Sequence, residues 1–130
     1  LEWLEEIKQN YDVYTYATGY DPWHIIGTDE EQLQSYTGED LCEAVRQGPQ
    51  TMSMPGKEFR AQLAANRIID GHNPINEWTR MNVQVVSDNN ANIKFVKMQG
   101  QAKNRIDGFI AELCAYIALL RHKDEYEGVM

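Results

Sequence analysis

An α/β fold, a sheet flanked by helices, is what this sequence predicts, and three patterns carry the prediction. Stretches rich in Val, Tyr and Thr alternate along the chain with amphipathic stretches. The polar run Asp88-Asn89-Asn90-Ala91-Asn92 separates two segments of alternating apolar and polar residues, the mark of a β-hairpin. Over residues 103–123 apolar side chains recur at helical spacing, which predicts one long helix.

The elements follow in order. Residues 2–9 read as the end of an amphipathic helix, with Trp3, Leu4 and Ile7 on one side. Residues 11–20 are rich in Tyr, Val and Thr and read as a buried strand. That strand ends at Asp21-Pro22, where Pro suits the first turn of a helix over about 22–36, closed by a turn at Gly38. A short strand over 41–45 precedes Arg46-Gln47-Gly48-Pro49. Met52-Ser53-Met54-Pro55 leads into a helix over 55–68, facing Phe59, Leu63 and Ile68 inward and broken by Gly71-His72-Asn73-Pro74. A short helix over 75–80 comes next, then the hairpin over 82–87 and 93–97, then the long helix. Four strands make a thin sheet for so many helices. The chain opens inside a helical pattern, without a cap, and is expected to be part of something longer, its first strands lying outside it.

The 130 residues suffice for one domain with a single core. With 42% hydrophobic and 25% charged residues, and no run of about 18 apolar ones, the chain has no membrane span. Cys42 and Cys114 form no CxxC pair, and His24, His72 and His122 stand at no zinc-ligand spacing, so a structural zinc site is not expected. Cys114 falls on an apolar helical face and reads as a reduced thiol of a cytosolic protein. The net charge is −8, unevenly spread. Residues 1–45 carry eleven acidic side chains against one Lys, whereas residues 46–107 carry nine Lys or Arg against five Asp or Glu. A basic segment of this kind can present a phosphate-binding face despite the overall sign, or can simply be solvated surface.

Two carboxylates stand where structure alone would not ask for them. Asp21 closes the strand over 11–20; immediately before Pro it can cap a helix, and at a strand end it can serve a site. Asp107 is expected inside the apolar face of the long helix, among Ile106, Phe109, Ile110, Leu113, Ile117 and Leu120. It heads a row of small residues, Ala111, Cys114 and Ala118, along which the helix can approach a sheet, with Gly108 helping. A charge on such a face needs a cation, an ion pair or a buried hydrogen bond. Two carboxylates aimed at one place suggest a divalent metal. Lys94, Lys97, Lys103 and Arg105 cluster in sequence around the hairpin and the start of the long helix, and Arg80 adds charge upstream. They can contact DNA phosphates, with Lys97 placed to neutralise the scissile one.

Seven short motifs carry a resemblance. They are Tyr20-Asp21-Pro22-Trp23, Val45-Arg46-Gln47-Gly48, Met52-Ser53-Met54-Pro55, Asn73-Pro74-Ile75-Asn76-Glu77-Trp78, Asn82-Val83, Lys97 and Arg105-Ile106-Asp107-Gly108. In this order they resemble the C-terminal nuclease domain of the large terminase subunit of tailed bacteriophages and prophages, from about residue 11 to 120. The resemblance implies a partial ribonuclease-H-like fold, a mixed sheet flanked by helices with the first strands missing. It implies a two-metal-ion endonuclease that cuts concatemeric viral DNA during packaging, with Mg²⁺ or Mn²⁺ held by aspartates, active in the full-length protein and weak or inactive in these residues alone. Asp21 matches the family's strand-end aspartate and Asp107 that of its last helix. The family's first aspartate and its packaging ATPase have no counterpart here; no GxxxxGK[ST] appears. The implied partners are double-stranded DNA, the small terminase subunit and the portal protein, in the cytoplasm of the bacterial host. The strand over 11–20, stripped of neighbours, is expected to promote self-association. A catalytically inactive DNA-binding or packaging-interaction piece of the same protein is the alternative. A third reading is a stand-alone domain whose aspartates are only a cap and a salt bridge.

Overall fold

The computed structural model describes residues 1–100 and 103–129. Its elements are α1 (Glu2–Tyr11), β1 (Thr18–Tyr20), α2 (Thr28–Thr37), β2 (Cys42–Ala44), α3 (Pro49–Ala64), α4 (Pro74–Met81), β3 (Val83–Ser87), β4 (Ile93–Lys97) and α5 (Asp107–Val129), with a 3₁₀ turn at Glu39–Leu41. Both senses of strand pairing occur, in two separate two-stranded ladders. β1 runs parallel to β2, with Thr18 opposite Cys42 and Tyr20 opposite Ala44. β3 and β4 form the expected antiparallel hairpin, from Val83 opposite Lys97 to Ser87 opposite Ile93.

The core lies between α3, the hairpin and α5. Phe59, Phe95 and Phe109 meet at its centre, with ring centroids 5.8 Å apart for Phe59–Phe109 and 5.0 Å for Phe95–Phe109. Val45, Met52, Ile93, Leu113, Cys114 and Ile117 complete the buried cluster. Two close approaches fix the geometry. Gly56 of α3 lies under the Phe95 ring, where a Cβ would come within 2.3 Å of Cε2, and Ser53 Oγ beside it accepts the Ile93 N–H at 2.9 Å. Gly19 of β1 lies against α5, where a Cβ would stand 2.3 Å from the Cys114 carbonyl oxygen. The small row of α5 thus seats the strand, as its composition suggests. Gly108 serves another contact: its added Cβ would meet Thr79 Oγ1 at 2.8 Å, so it seats α4.

Several elements depart from the sequence reading, each for a local reason. The strand expected over 11–20 shrinks to three residues, because a strand extends only as far as its partner and β2 offers three. The helix expected from residue 22 begins at Thr28. The Pro22–Ile25 stretch instead closes a turn on the Asp21 carbonyl, which accepts the N–H groups of His24 and Ile25 at 3.1 Å each, and Gly27 then adopts φ 62. α3 begins at Pro49, after an extended Gly48, and carries Pro55 in its interior. Pro49 already occupies the first-turn position that Pro55 was expected to take. α4 starts as read, with Asn73 Oδ1 accepting the Ile75 N–H at 2.9 Å. α5 begins four residues late, because residues 104–106 are spent on tertiary bonds. The Asn82 side chain donates to the Arg105 carbonyl at 3.0 Å, and the Asn104 amide to the Met98 carbonyl at 3.4 Å.

Candidate active site

The late start of α5 changes the setting of Asp107. It is not enclosed in an apolar helix face: it is the first residue of the helix and is exposed. Its charge therefore faces the positive end of the helix dipole, which favours a carboxylate. Cleft-lining residues Asp107, Ala111 and Cys114 run down one side of α5 at helical spacing.

Opposite them stands Asp21, one residue past the end of β1. Its carboxylate has two local partners. Oδ1 accepts the Trp23 N–H at 2.9 Å, and Oδ2 lies 2.7 Å from His24 Nδ1. The capping reading of Asp21 is thus realised, on the turn of residues 22–25 rather than on a helix. His24 is a site residue the sequence reading missed; the Asp21-to-His24 spacing of three, followed through a turn, is the signal that points to it.

Asp21 and Asp107 line one cleft of about 480 Å³, together with Thr18, Tyr20, Ile25 and Leu33. The strand runs antiparallel to α5, since Tyr16 stacks on Tyr126 while Gly19 meets Cys114. At about 3.3 Å per strand residue, Asp21 is level with about Ile110, just under one helical turn from Asp107. The charge of Asp21 also reaches Cys114: burial pushes that thiol up, its hydrogen bond from Gln47 acts against this, and the nearby carboxylate adds to the rise. On the cleft's other wall Tyr20 donates a short hydrogen bond to Glu30, which with burial pushes the phenol up to about 12. This bond ties β1 to α2.

The donor set is hard oxygen, which suits Mg²⁺ or Mn²⁺. Among the described residues no group of three His, Cys, Asp or Glu side chains is placed to hold a metal ion. The cleft therefore offers two carboxylates.

The cationic residues do not gather at the cleft. Lys97 and Arg105 lie where the base of the hairpin meets the start of α5, a junction closed by Met98 N–H donating to the Asn82 carbonyl at 2.8 Å. Lys94 is three residues from Lys97 along β4, so the two start from opposite faces of the hairpin. Lys103 is exposed in the turn before α5. Arg80 is engaged within the fold: its guanidinium lies 2.7 Å from Asp70 and 2.6 Å from Glu112, joining α4 to α5. All three side chains are less than one-fifth exposed, so Arg80 acts as an internal clamp.

The fold has a counterpart among solved structures. The chain matches the large terminase of bacteriophage HK97 with a TM-score of 0.66 and 21% identity, over 90% of this chain and 23% of that one. At that identity the likeness establishes the fold alone, a ribonuclease-H-like α/β fold. The family described as "Terminase large subunit, endonuclease domain" matches residues 6–123, and the chain belongs to that family. No curated protein sequence matches it. Among the described residues no helix is long and apolar enough to cross a membrane.

Proposed function

We propose that Asp21 and Asp107 hold a divalent cation for phosphodiester hydrolysis, and that the parent protein uses this site to cut concatemeric viral DNA during packaging. One observation carries the reading: in a member of an endonuclease family, two carboxylates from separate elements line the same cleft. When bound, Mg²⁺ or Mn²⁺ would supply the chemistry, one ion activating the attacking water and a second stabilising the leaving oxygen.

The chain's own residues do the rest. His24 orients the Asp21 carboxylate through its ring nitrogen, as partners of a metal ligand commonly do. The N-terminus of α5 balances the charge of Asp107 between turnovers. Lys97 and Arg105 meet phosphates beside the hairpin base, while Lys94 and Lys103 reach the duplex backbone on either side without reading sequence. Two carboxylates are few for a tightly bound cation. A further acidic ligand, carried on a strand that pairs with the open edge of β1 from a part of the protein outside these residues, completes the set. The chain spans 23% of the length of the HK97 terminase it matches, so there is ample room for such a segment and for an ATPase. The small terminase subunit and the portal protein are the partners this role requires.

The test is conversion of supercoiled plasmid to nicked and linear forms by the full-length parent protein with Mg²⁺ or Mn²⁺. Asp21→Asn and Asp107→Asn each reduce cutting below about one-hundredth, a larger loss than the 10–100-fold expected for His24→Ala as a supporting residue. Full cutting by both aspartate variants would sink the reading. The bonds from Asp21 to Trp23 and His24 favour a second reading, an inactive DNA-binding segment, for which all these variants bind DNA equally and none cuts.

A further inference from the structure

A wider cleft, of about 990 Å³, opens on the other side of the 21–23 segment. Its walls are Pro22 and Trp23, the loop from Arg46 into the start of α3, and the hairpin tip at Asp88 and Asn92. Trp23 is 80% exposed, yet its backbone is fixed by the bond from its N–H to Asp21 and by the preceding Pro22. A large aromatic is thus presented to solvent from an anchored backbone, two residues from the proposed metal ligand. Across the cleft the exposed Arg46 follows the fully buried Val45, which anchors its backbone. Among the described residues no carboxylate pairs with Arg46. The acid at the rim, Asp88, is already occupied: it accepts the N–H groups of Asn90 and Asn92 and the Asn92 side-chain amide. Those bonds hold its carboxyl below the usual range, with Lys57 nearby adding to the effect.

A fixed aromatic face opposite an uncommitted guanidinium is the arrangement that holds a nucleotide by its base and its phosphate. A base inside a duplex has no free face to offer. We propose that this cleft takes an unpaired nucleotide of the DNA strand, with Trp23 stacking on the base and Arg46 gripping the adjacent phosphate. Trp23 and Arg46 are then positioning residues, and the substrate they select is DNA that is locally opened beside the cut. The proposal rests on the nuclease reading above for its purpose but not for its test.

The test uses the whole chain in excess EDTA, where no cutting occurs. With Trp3→Phe and Trp78→Phe in place, Trp23 is the sole indole. Addition of a (dT)₁₂ oligonucleotide quenches its emission, and a blunt 12-base-pair duplex does so far less. By anisotropy, Trp23→Leu weakens (dT)₁₂ binding by about 5- to 150-fold, the increment of one stacked base, while Trp23→Phe keeps most of it. Arg46→Ala lowers the slope of log affinity against log salt by about 0.7, the loss of one single-strand phosphate contact. Absence of quenching, equal quenching by duplex, or unchanged binding in Trp23→Leu would overturn the proposal. Asp107→Asn separates the two readings: quenching of the chain that persists while plasmid cutting by the full-length parent protein with Mg²⁺ is lost supports both, and cutting that persists contradicts the metal site alone.

Discussion

Residues 1–44 and residues 45–129 are held together by different means. The later region contains nearly the whole core: three Phe rings, Val45, Met52, Ile93 and three further buried residues of α5. In the earlier region α1 and α2 contain no buried residue, and Tyr20 is the one buried apolar side chain. What secures the earlier region is polar and positional. Gly19 sits on α5, Tyr20 bonds Glu30, and Tyr36 donates to the Leu4 carbonyl at 3.2 Å. At the far end of the seam Glu43 of β2 accepts from Arg121 at 2.7 Å and pairs with His122 at 2.8 Å. The proposed metal site lies on this seam, with Asp21 from the thinly packed region and Asp107 from the well-packed one. Ligand geometry therefore depends on how firmly β1 lies on α5.

The largest expected effects come from attacking each side separately. Phe109→Ala removes a ring at the centre of the core and costs about 3–5 kcal/mol, seen as an earlier urea midpoint for the whole chain. Gly19→Ala attacks the seam, placing a Cβ against the Cys114 carbonyl, and costs about 1–3 kcal/mol by overpacking. Hydrogen exchange distinguishes them. In Gly19→Ala protection falls across residues 1–44 while α3 and α5 keep theirs. A uniform loss over both regions would show that they are one cooperative unit and would break the comparison.

The ion pairs of the seam give a smaller, pH-dependent effect. Glu125 and then Glu43 hold the proton on His122 against the opposing effect of burial, so its affinity for the proton is raised above the usual His value of 6.5. This contribution is complete below that value and fades as pH rises through the raised one. For Glu43 burial pushes upward, but Arg121 and His122 together prevail and hold its carboxyl below 4.5. Its contribution is complete above that value and fades as pH falls. The seam is accordingly firmest between about pH 4.5 and 6.5. Thermal melts of the parent and His122→Gln should differ most inside this window and converge above it. A constant difference up to pH 9 would show that His122 acts through packing alone.

The smallest effect separates the revised setting of Asp107 from the one its sequence suggests. A charge enclosed in an apolar face would be relieved by Asp107→Ala, and the protein would gain stability. At the exposed N-terminus of α5 the same change loses a dipole interaction and costs about 0.3–1 kcal/mol. The sign of the shift in chemical denaturation decides between them.

How legible each feature was depends on the distance over which it is determined. The hairpin is set by neighbours in sequence and stands where its residues place it. The row of small residues on α5 also foretold its contact with a strand. The length of β1 and the first residue of α5 are set by remote partners, Cys42–Ala44 and Asn82, which no local pattern reveals. Pro55 misled because a proline marks a first turn more often than an interior, and Pro49 had already filled that position. The same limit applies to the cations. Lys94 and Lys97 look like one cluster along the chain, but pleating assigns them to opposite faces. Arg80 looks like a surface charge until Asp70 and Glu112 close on it.

The central claim is that two carboxylates from unlike regions hold one cation, and paramagnetic broadening by Mn²⁺ tests it most directly. In amide spectra of the chain, substoichiometric Mn²⁺ should broaden residues 19–25 and 106–111 together, and both Asp21→Asn and Asp107→Asn should remove the effect at both segments. Broadening centred instead on the acidic stretches at 29–31 or 39–43, or surviving either substitution, would contradict the account.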